Sequence, residues 1–243
     1  MSDISQNVIN DLAPSGRLRS TINLGNTVLA QRDSVGGLHG VSVDLARALG
    51  ERLGLDVELV VFDTAGKAFA ALQSGACDIG FLAIDPKRAE DLDYSAPYVI
   101  IEGTYLVPAD STFGTVDDLD REGVRIAAGN NTAYELHLSR VLRHAQLARY
   151  PSSAAAMEAT LAGEVDVAAG VRQPLVAAAA RDPRFRVVEG NFLLIQQAMA
   201  LPKNRPAGHA FVKNFMEEMK MSGIIADALA RSGQGDAIVA PPV

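Results

Sequence analysis

The chain has 243 residues, 48% of them apolar, which is enough for one large domain or for two lobes with real cores. Its net charge of −7, with both signs mixed along the chain, excludes the basic face that a nucleic-acid binder needs. One cysteine, Cys77, excludes an internal disulfide, and no window reaches the apolar length of a membrane span.

The opening MSDISQNVINDLAPSGRLRS has no basic region followed by an apolar stretch, so no signal peptide is expected in this chain and a cytoplasmic location stays open. After Pro14-Ser15-Gly16, residues 18–25 (LRSTINLG) read as a strand, and the polar, glycine-bearing 26–40 as a loop. Leu45, Ala48, Leu49 and Leu53 fall at helical spacing, which predicts a helix over 41–53 stopped by Gly54. VELVVF (57–62) reads as a strand, 67–74 as a short helix ended by Gly75, and CDIGFLAI (77–84) as a strand buried on both faces. The order β-α-β-α-β implies a parallel sheet with crossover helices. Cys77, at the head of that last strand, reads as an inert core thiol.

YVIIEGTYLVP (98–108) is a further extended run and 115–122 is polar. VRIAAG (124–129) opens a second unit. A helix is expected over 134–145, with Leu138, Val141, Leu142 and Ala145 on one stripe. LARY reads as a strand, 152–161 as an alanine-rich helix, VDVAAG (165–170) as a strand and 174–180 as a helix. FRVVEG and FLLIQQAMALP read as strands, 207–221 and 224–232 as helices, and 236–243 as a tail.

ALQSGACDIGF (71–81) and TLAGEVDVAAG (160–170) echo each other: helix, Leu, Gly-x-x-Asp, apolar strand. Glycine after a helix and aspartate before a strand are ordinary boundary residues. Two such runs in register nevertheless suggest two similar lobes. In open parallel sheets ligands sit beyond the carboxyl ends of strands, so a cleft between two lobes is the expected site.

Several pieces together resemble the family-three, amino-acid type of solute-binding protein that serves ATP-driven (ABC) importers. They are GVSVDLARALGERLG (40–54), AFAALQSGACDIGFLAIDPKRAEDLDYSAPY (68–98), AAGNNTAYEL (127–136), LAGEVDVAAG (161–170) and FMEEMKMSGIIADAL (215–229). The resemblance implies an α/β fold of the type II periplasmic-binding-protein kind. Two lobes, each a mostly parallel sheet flanked by helices, are joined by two crossing strands and close on a small ligand like a hinge. It places lobe I at 1–107 plus 200–243 and lobe II at 108–199. It also implies periplasmic residence, an ABC permease as partner, a monomer, and no cofactor or metal.

In that family, the arginine after the turn, followed by Ser-x-Pro-Tyr, grips the ligand carboxylate. Arg88, after Asp85-Pro86 and before Ser95-Ala96-Pro97-Tyr98, stands there. A guanidinium fork suits a carboxylate, whereas the alternative is a solvated turn arginine beside Glu90 and Asp91. Two departures shape the expected ligand. The family's longer polar stretch before the arginine is here a short apolar FLAIDP, with Asp85 its one acid. The place of the family's ammonium-binding aspartate, five residues past Asp166, is Val171, followed by Arg172 and Gln173, and the usual aromatic platform is missing from NLGNTVLAQ. An arginine there would repel an ammonium. The expected ligand is therefore anionic, held by Arg88 from one lobe and Arg172 from the other, the alternative for Arg172 being a structural salt bridge.

Gly129-Asn130-Asn131-Thr132 leads into a helix whose first amides could hold an anion, while Thr132 or Asn131 caps it; Tyr134 follows. Glu102, in YVIIEGTYL, is a further candidate, with its neighbor Tyr105 as a source of a hydroxyl; Gln196 and Gln197 on the return strand, and Gln173 after Arg172, are others. The four histidines show no metal-ligand spacing. The function expected is capture of a small carboxylate-bearing ligand, amino-acid-like or organic acid. Two alternatives stand beside it: a cyclohexadienyl-dehydratase-like enzyme with Glu102 or Asp85 as general acid, and a ligand-sensing module.

Overall fold

A computed structural model describes residues 4–243. The chain divides into two compact units. Unit 1 holds the described residues up to Ile100 together with Gln196–Val243, and unit 2 holds Ile101–Ile195.

Unit 1 begins with α1 (Gln6–Leu12), β1 (Leu18–Asn23), the two-residue strands β2 (Gln31–Arg32) and β3 (Leu38–His39), and α2 (Val41–Leu53). β4 (Val57–Phe62), α3 (Ala65–Gln73), β5 (Gly80–Ala83) and the long β6 (Leu92–Pro108) follow. α2 runs over the span its periodicity predicts. Val41, Leu45 and Leu49 are buried, and Gly54 takes the left-handed conformation (φ 67°) that ends it. β1 and β4 pair in parallel, and Ser20 bridges in parallel to Ile79 ahead of β5. α3 packs Ala68 and Leu72 on Cys77, Leu82 and Leu92. Burial raises the Cys77 thiol pKa to about 11, so it is an apolar core group.

Unit 2 contains β7 (Arg125–Gly129), α4 (Ala133–Val141), β8 (Gln146–Tyr150), α5 (Ser153–Leu161), β9 (Val167–Val171), α6 (Arg172–Arg181) and β10 (Phe185–Val187). β7 pairs in parallel with β8 and with β9, and β6 pairs antiparallel with β9 and β10. Small residues let α5 lie close on the sheet: Ala127, Ala156, Ala159 and Val165 form one cluster. The chain returns through β11 (Leu193–Pro202), antiparallel to β5, and ends in unit 1 with α7 (Pro206–Met221), α8 (Ile224–Arg231) and β12 (Ile238–Val239). The changes of unit, at Ile100/Ile101 and Ile195/Gln196, fall inside β6 and β11 and earlier along each than 107/108 and 199/200.

The internal echo is one of contacts as well as letters. Gly75 and Gly163 both adopt positive φ (73° and 77°) after α3 and α5, and both lead to the aspartate. Asp78 accepts the backbone N–H of Arg19 at 3.1 Å and takes its guanidinium at 2.9 and 2.7 Å. Asp166 does the same to Arg125, with the backbone at 2.9 Å and the guanidinium at 3.2 Å twice. Each aspartate thus ties the start of its unit's first parallel strand. The two differ in setting. Asp78 is fully buried, with Arg205 as a second cation at 3.6 Å, whereas the Asp166 side chain is 42% exposed.

Other expectations are corrected. The stripe over 134–145 breaks because α4 ends at Val141, which is exposed. The Asp120 carboxylate collects the N–H groups of Arg143 (3.0 Å), His144 (2.8 Å) and Ala145 (2.9 Å) and draws the chain out of the helix. α6 begins at Arg172, two residues early, because Pro174 sits in the first turn, where a missing N–H costs nothing. The tail over 236–243 contains β12, and α1 was not anticipated. α1 packs on α7, with Asp11 accepting the Gly208 N–H at 2.9 Å. No helix among the described residues is long and apolar enough to cross a membrane.

Asp78→Asn should cost about 3 kcal/mol in chemical denaturation, because it removes the fully buried charge that two partly buried guanidinium groups face. Asp166→Asn should cost far less, because water replaces the lost charge; equal losses would contradict the contrast in burial. Burial pushes the Asp120 carboxyl up, but its three N–H bonds outweigh this and its pKa is lowered. A lowered folded-state pKa contributes stability above the unfolded value, near 4, that is lost as pH falls through the folded value. The melting temperature should therefore fall below about pH 4, less steeply in Asp120→Asn.

Candidate functional site

In unit 1 the candidate residues follow β5. Asp85 is buried, and its Oδ1 accepts the Lys87 N–H at 2.9 Å while its carbonyl accepts that of Ala89 at 2.9 Å. This turn leads into a short 3₁₀ segment, Arg88–Glu90. Arg88 is only 3% exposed, which rules out the solvated-turn alternative. Its Nη1 reaches back to the Ala83 carbonyl, at the carboxyl end of β5, at 3.4 Å. Taking a guanidinium out of water is costly unless oxygen atoms meet it, so its place here is built rather than incidental.

Tyr94 lies within the field of both groups. Burial pushes its pKa up to about 12, with the Arg88 charge opposing the rise and the Asp85 charge adding to it. Its buried hydroxyl has no hydrogen-bond partner among the described residues. Sequence reasoning missed Tyr94, although it directly precedes Ser95-Ala96-Pro97-Tyr98. That element is internal. Ser95 Oγ donates to the Ala96 carbonyl at 2.7 Å and accepts the Met199 N–H at 3.1 Å, and Tyr98 Oη meets Ser42 Oγ at 3.3 Å.

In unit 2 the structure brings Glu102 of β6 and Arg172 of α6 together. Arg172 Nε donates to Glu102, and Nη2 donates to the Gly190 carbonyl at 2.5 Å. Asn191, missed by sequence reasoning, donates from Nδ2 to Glu102 Oε1 at 3.3 Å. The two charged side chains are 28% and 31% exposed, so water still reaches them. Arg172 is thus not an unpaired cation. Its charge is balanced by Glu102, and the expected repulsion of a ligand ammonium loses its basis. Gln173, next along α6, has its amide oxygen buried without a partner among the described residues.

The Asn130 N–H donates to the Tyr150 carbonyl at 2.8 Å, that of Asn131 to Glu135 Oε2 at 3.1 Å and that of Thr132 to the Gly129 carbonyl at 3.3 Å. These three N–H groups of the loop before α4 are therefore already bonded, one of them to the helix's own carboxylate, whereas the first amides of the helix itself belong to Ala133 and Tyr134. Thr132 is the cap, its Oγ1 accepting the Glu135 N–H at 3.2 Å. Glu135 in turn takes Arg149 Nε at 2.7 Å, and buried Tyr134 donates to Ser153 Oγ at 2.6 Å. The Asn130 and Asn131 side chains remain on the surface.

An aromatic group sits beside these residues. Phe192, directly after Asn191, has its ring 4.5 Å from that of Tyr105 and 6.2 Å from that of His137, center to center. Tyr105 is itself buried, and burial pushes its pKa up. Gln197 is buried and Gln196 exposed. No group of three or more His, Cys, Asp or Glu side chains among the described residues could hold a metal ion.

Known proteins share this architecture. An amino-acid-binding protein of Dichelobacter nodosus, AabA, is 25% identical over 142 residues, 57% of this chain and 55% of that relative. The chain thus spans a little over half the length of this curated relative. The solved structure of an ancestral amino acid-binding protein, a precursor of cyclohexadienyl dehydratase, is 27% identical with a TM-score of 0.75, covering 92% of this chain and 97% of that one. The amino acid ABC transporter substrate-binding protein AbpA of Streptococcus pneumoniae, solved with L-arginine, shares the fold at 19% identity with a TM-score of 0.80, covering 93% of this chain and 98% of that one. The two-lobe α/β architecture is therefore that of the type II periplasmic-binding-protein fold. Residues 27–233 match the bacterial extracellular solute-binding proteins, family 3, and the chain belongs to that family.

Proposed function

We propose that this chain captures a small carboxylate-bearing ligand, an amino acid or a close organic-acid relative, outside the cytoplasm and hands it to an ABC permease. The observation that carries this reading is Arg88, a guanidinium buried at the carboxyl end of β5 behind the Asp85 turn. Strand ends of this kind are where α/β sheets take ligands. A planar fork with paired donors is suited to a carboxylate. The names of the relatives support the amino-acid class: AabA is an amino-acid-binding protein and AbpA was solved with L-arginine.

The neutral Glu102–Arg172 pair widens the ligand class. With Arg172 balanced, a ligand carrying an ammonium meets no net positive charge from that residue, so free amino acids return beside dicarboxylates. The enzyme alternative has one point in its favor, the likeness to a precursor of cyclohexadienyl dehydratase. Against it, the two carboxylates expected to act as general acid have internal donors: Asp85 the Lys87 N–H, and Glu102 the Arg172 and Asn191 side chains. Turnover of prephenate by the purified chain would reverse this judgment.

Titration calorimetry, after a thermal-shift screen of amino acids and dicarboxylates, tests the role of Arg88. Arg88→Ala should weaken the best ligand about 100-fold, equivalent to two charge-assisted bonds at the low end of their range, and Arg88→Lys should restore only part. Unchanged affinity in a folded Arg88→Ala chain would overturn the assignment. A double-mutant cycle on Glu102→Gln and Arg172→Met should give a coupling of about 1 kcal/mol or less, as partly exposed pairs do. If both variants also keep native ligand affinity, the pair is structural only.

A further inference from the structure

After α8 the chain turns back along unit 1 as β12. Ile238 pairs with Ile100 and Val239 with Val99 in antiparallel register, and Ala240 donates its N–H to the Tyr98 carbonyl at 3.0 Å. β6 passes out of unit 1 between Ile100 and Ile101. The pairing with β12 therefore ends where the strand leaves the unit.

The same segment is held by α7. The Lys220 side chain is 0% exposed, and its Nζ donates to the Pro241 carbonyl at 3.0 Å and pairs with Glu217 at 2.6 Å. Glu217 Oε2 accepts the Val243 N–H at 3.0 Å. A buried ammonium needs its oxygen partners, so Lys220 and the segment stabilise each other. The apolar anchorage is thin by comparison: Ala237 and Ala240 are buried, but Ile238 is 50% exposed and Val243 almost wholly so. A segment held mainly by polar contacts, with little core of its own, is of the kind that opens locally while the rest stays folded.

We propose that residues 237–243 form a releasable strap, latched by Lys220 and Glu217, that stiffens β6 on the unit 1 side of the crossing point. Two residues beyond the last strapped one, β6 carries Glu102. The strap therefore bears on a strand that presents a candidate ligand residue. The proposal stands on unit 1 contacts alone and does not depend on the ligand assignment.

Native-state hydrogen exchange on the full chain tests it. The amides of Ile100 and Ala240 should open together, and well ahead of the amides of β1 and β5. Deleting residues 237–243, or substituting Lys220→Met, should speed exchange at Ile100 tenfold or more while β1 and β5 keep their protection. Three results would overturn the strap: Ile100 unchanged by the deletion, β1 and β5 loosened as much as β6, or Ala240 exchanging in the native chain only through global unfolding. If the deleted chain does not fold, the native profile and Lys220→Met decide.

Discussion

A guanidinium withdrawn from water must be met by oxygen atoms, and much of this chain is arranged around that requirement. Arg19 and Arg205, partly buried, meet Asp78, and Arg172 meets Glu102 and the Gly190 carbonyl, while the half-exposed Arg125 and Arg149 repeat the pairing nearer the surface with Asp166 and Glu135. Arg88 is the most deeply buried of these side chains, 3% exposed, and follows the carboxyl end of β5. In the role proposed for it, a cation held there in a fixed orientation has lost its freedom before binding. Preorganization of this kind lowers the cost of binding, and it explains why an arginine, rather than a flexible lysine, suits the position.

The two Asp–Arg ties show how the units come to resemble each other. In each, a left-handed glycine ends a helix, and the aspartate three residues later fastens the backbone and side chain of an arginine at the head of the first parallel strand. Each tie fastens the segment entering a later strand to the head of the first parallel strand of its unit. Among the loops that follow strands of the two units are Asp85 to Arg88 in unit 1, which carries the proposed ligand arginine, and Gly129 to Tyr134 in unit 2.

What the sequence made legible was local. α2 could be read because its buried residues repeat at helical spacing and Gly54 ends it. The doubled Gly-x-x-Asp run could be read because both its copies are contiguous. The burial of Arg88 could not, since FLAIDPKRAE looks solvated once the turn begins. The Arg172–Glu102 pair joins residues 70 positions apart, and nothing near either residue announces the other. Asn191 and Phe192 were overlooked because they lie in a loop that matters only once β6 and α4 are in place. β12 escaped notice because two residues carry no periodicity, and α1 because a seven-residue helix shows too few turns. Of the two readings offered for Arg172, an anion ligand and a structural salt bridge, the structure shows the salt bridge, and its partner could not be named in advance because charge balance in a fold is a property of neighbors in space.

The central claim is that a ligand carboxylate is what the Arg88 site recognizes. The most direct measurement compares, by calorimetry on the unaltered chain, free amino acids and dicarboxylates with their carboxamide counterparts, which match them in shape and lack the negative charge. The account predicts that at least one free acid binds and that its amide binds at least tenfold more weakly. Equal binding of acid and amide, or a ligand set containing no carboxylate, would contradict it.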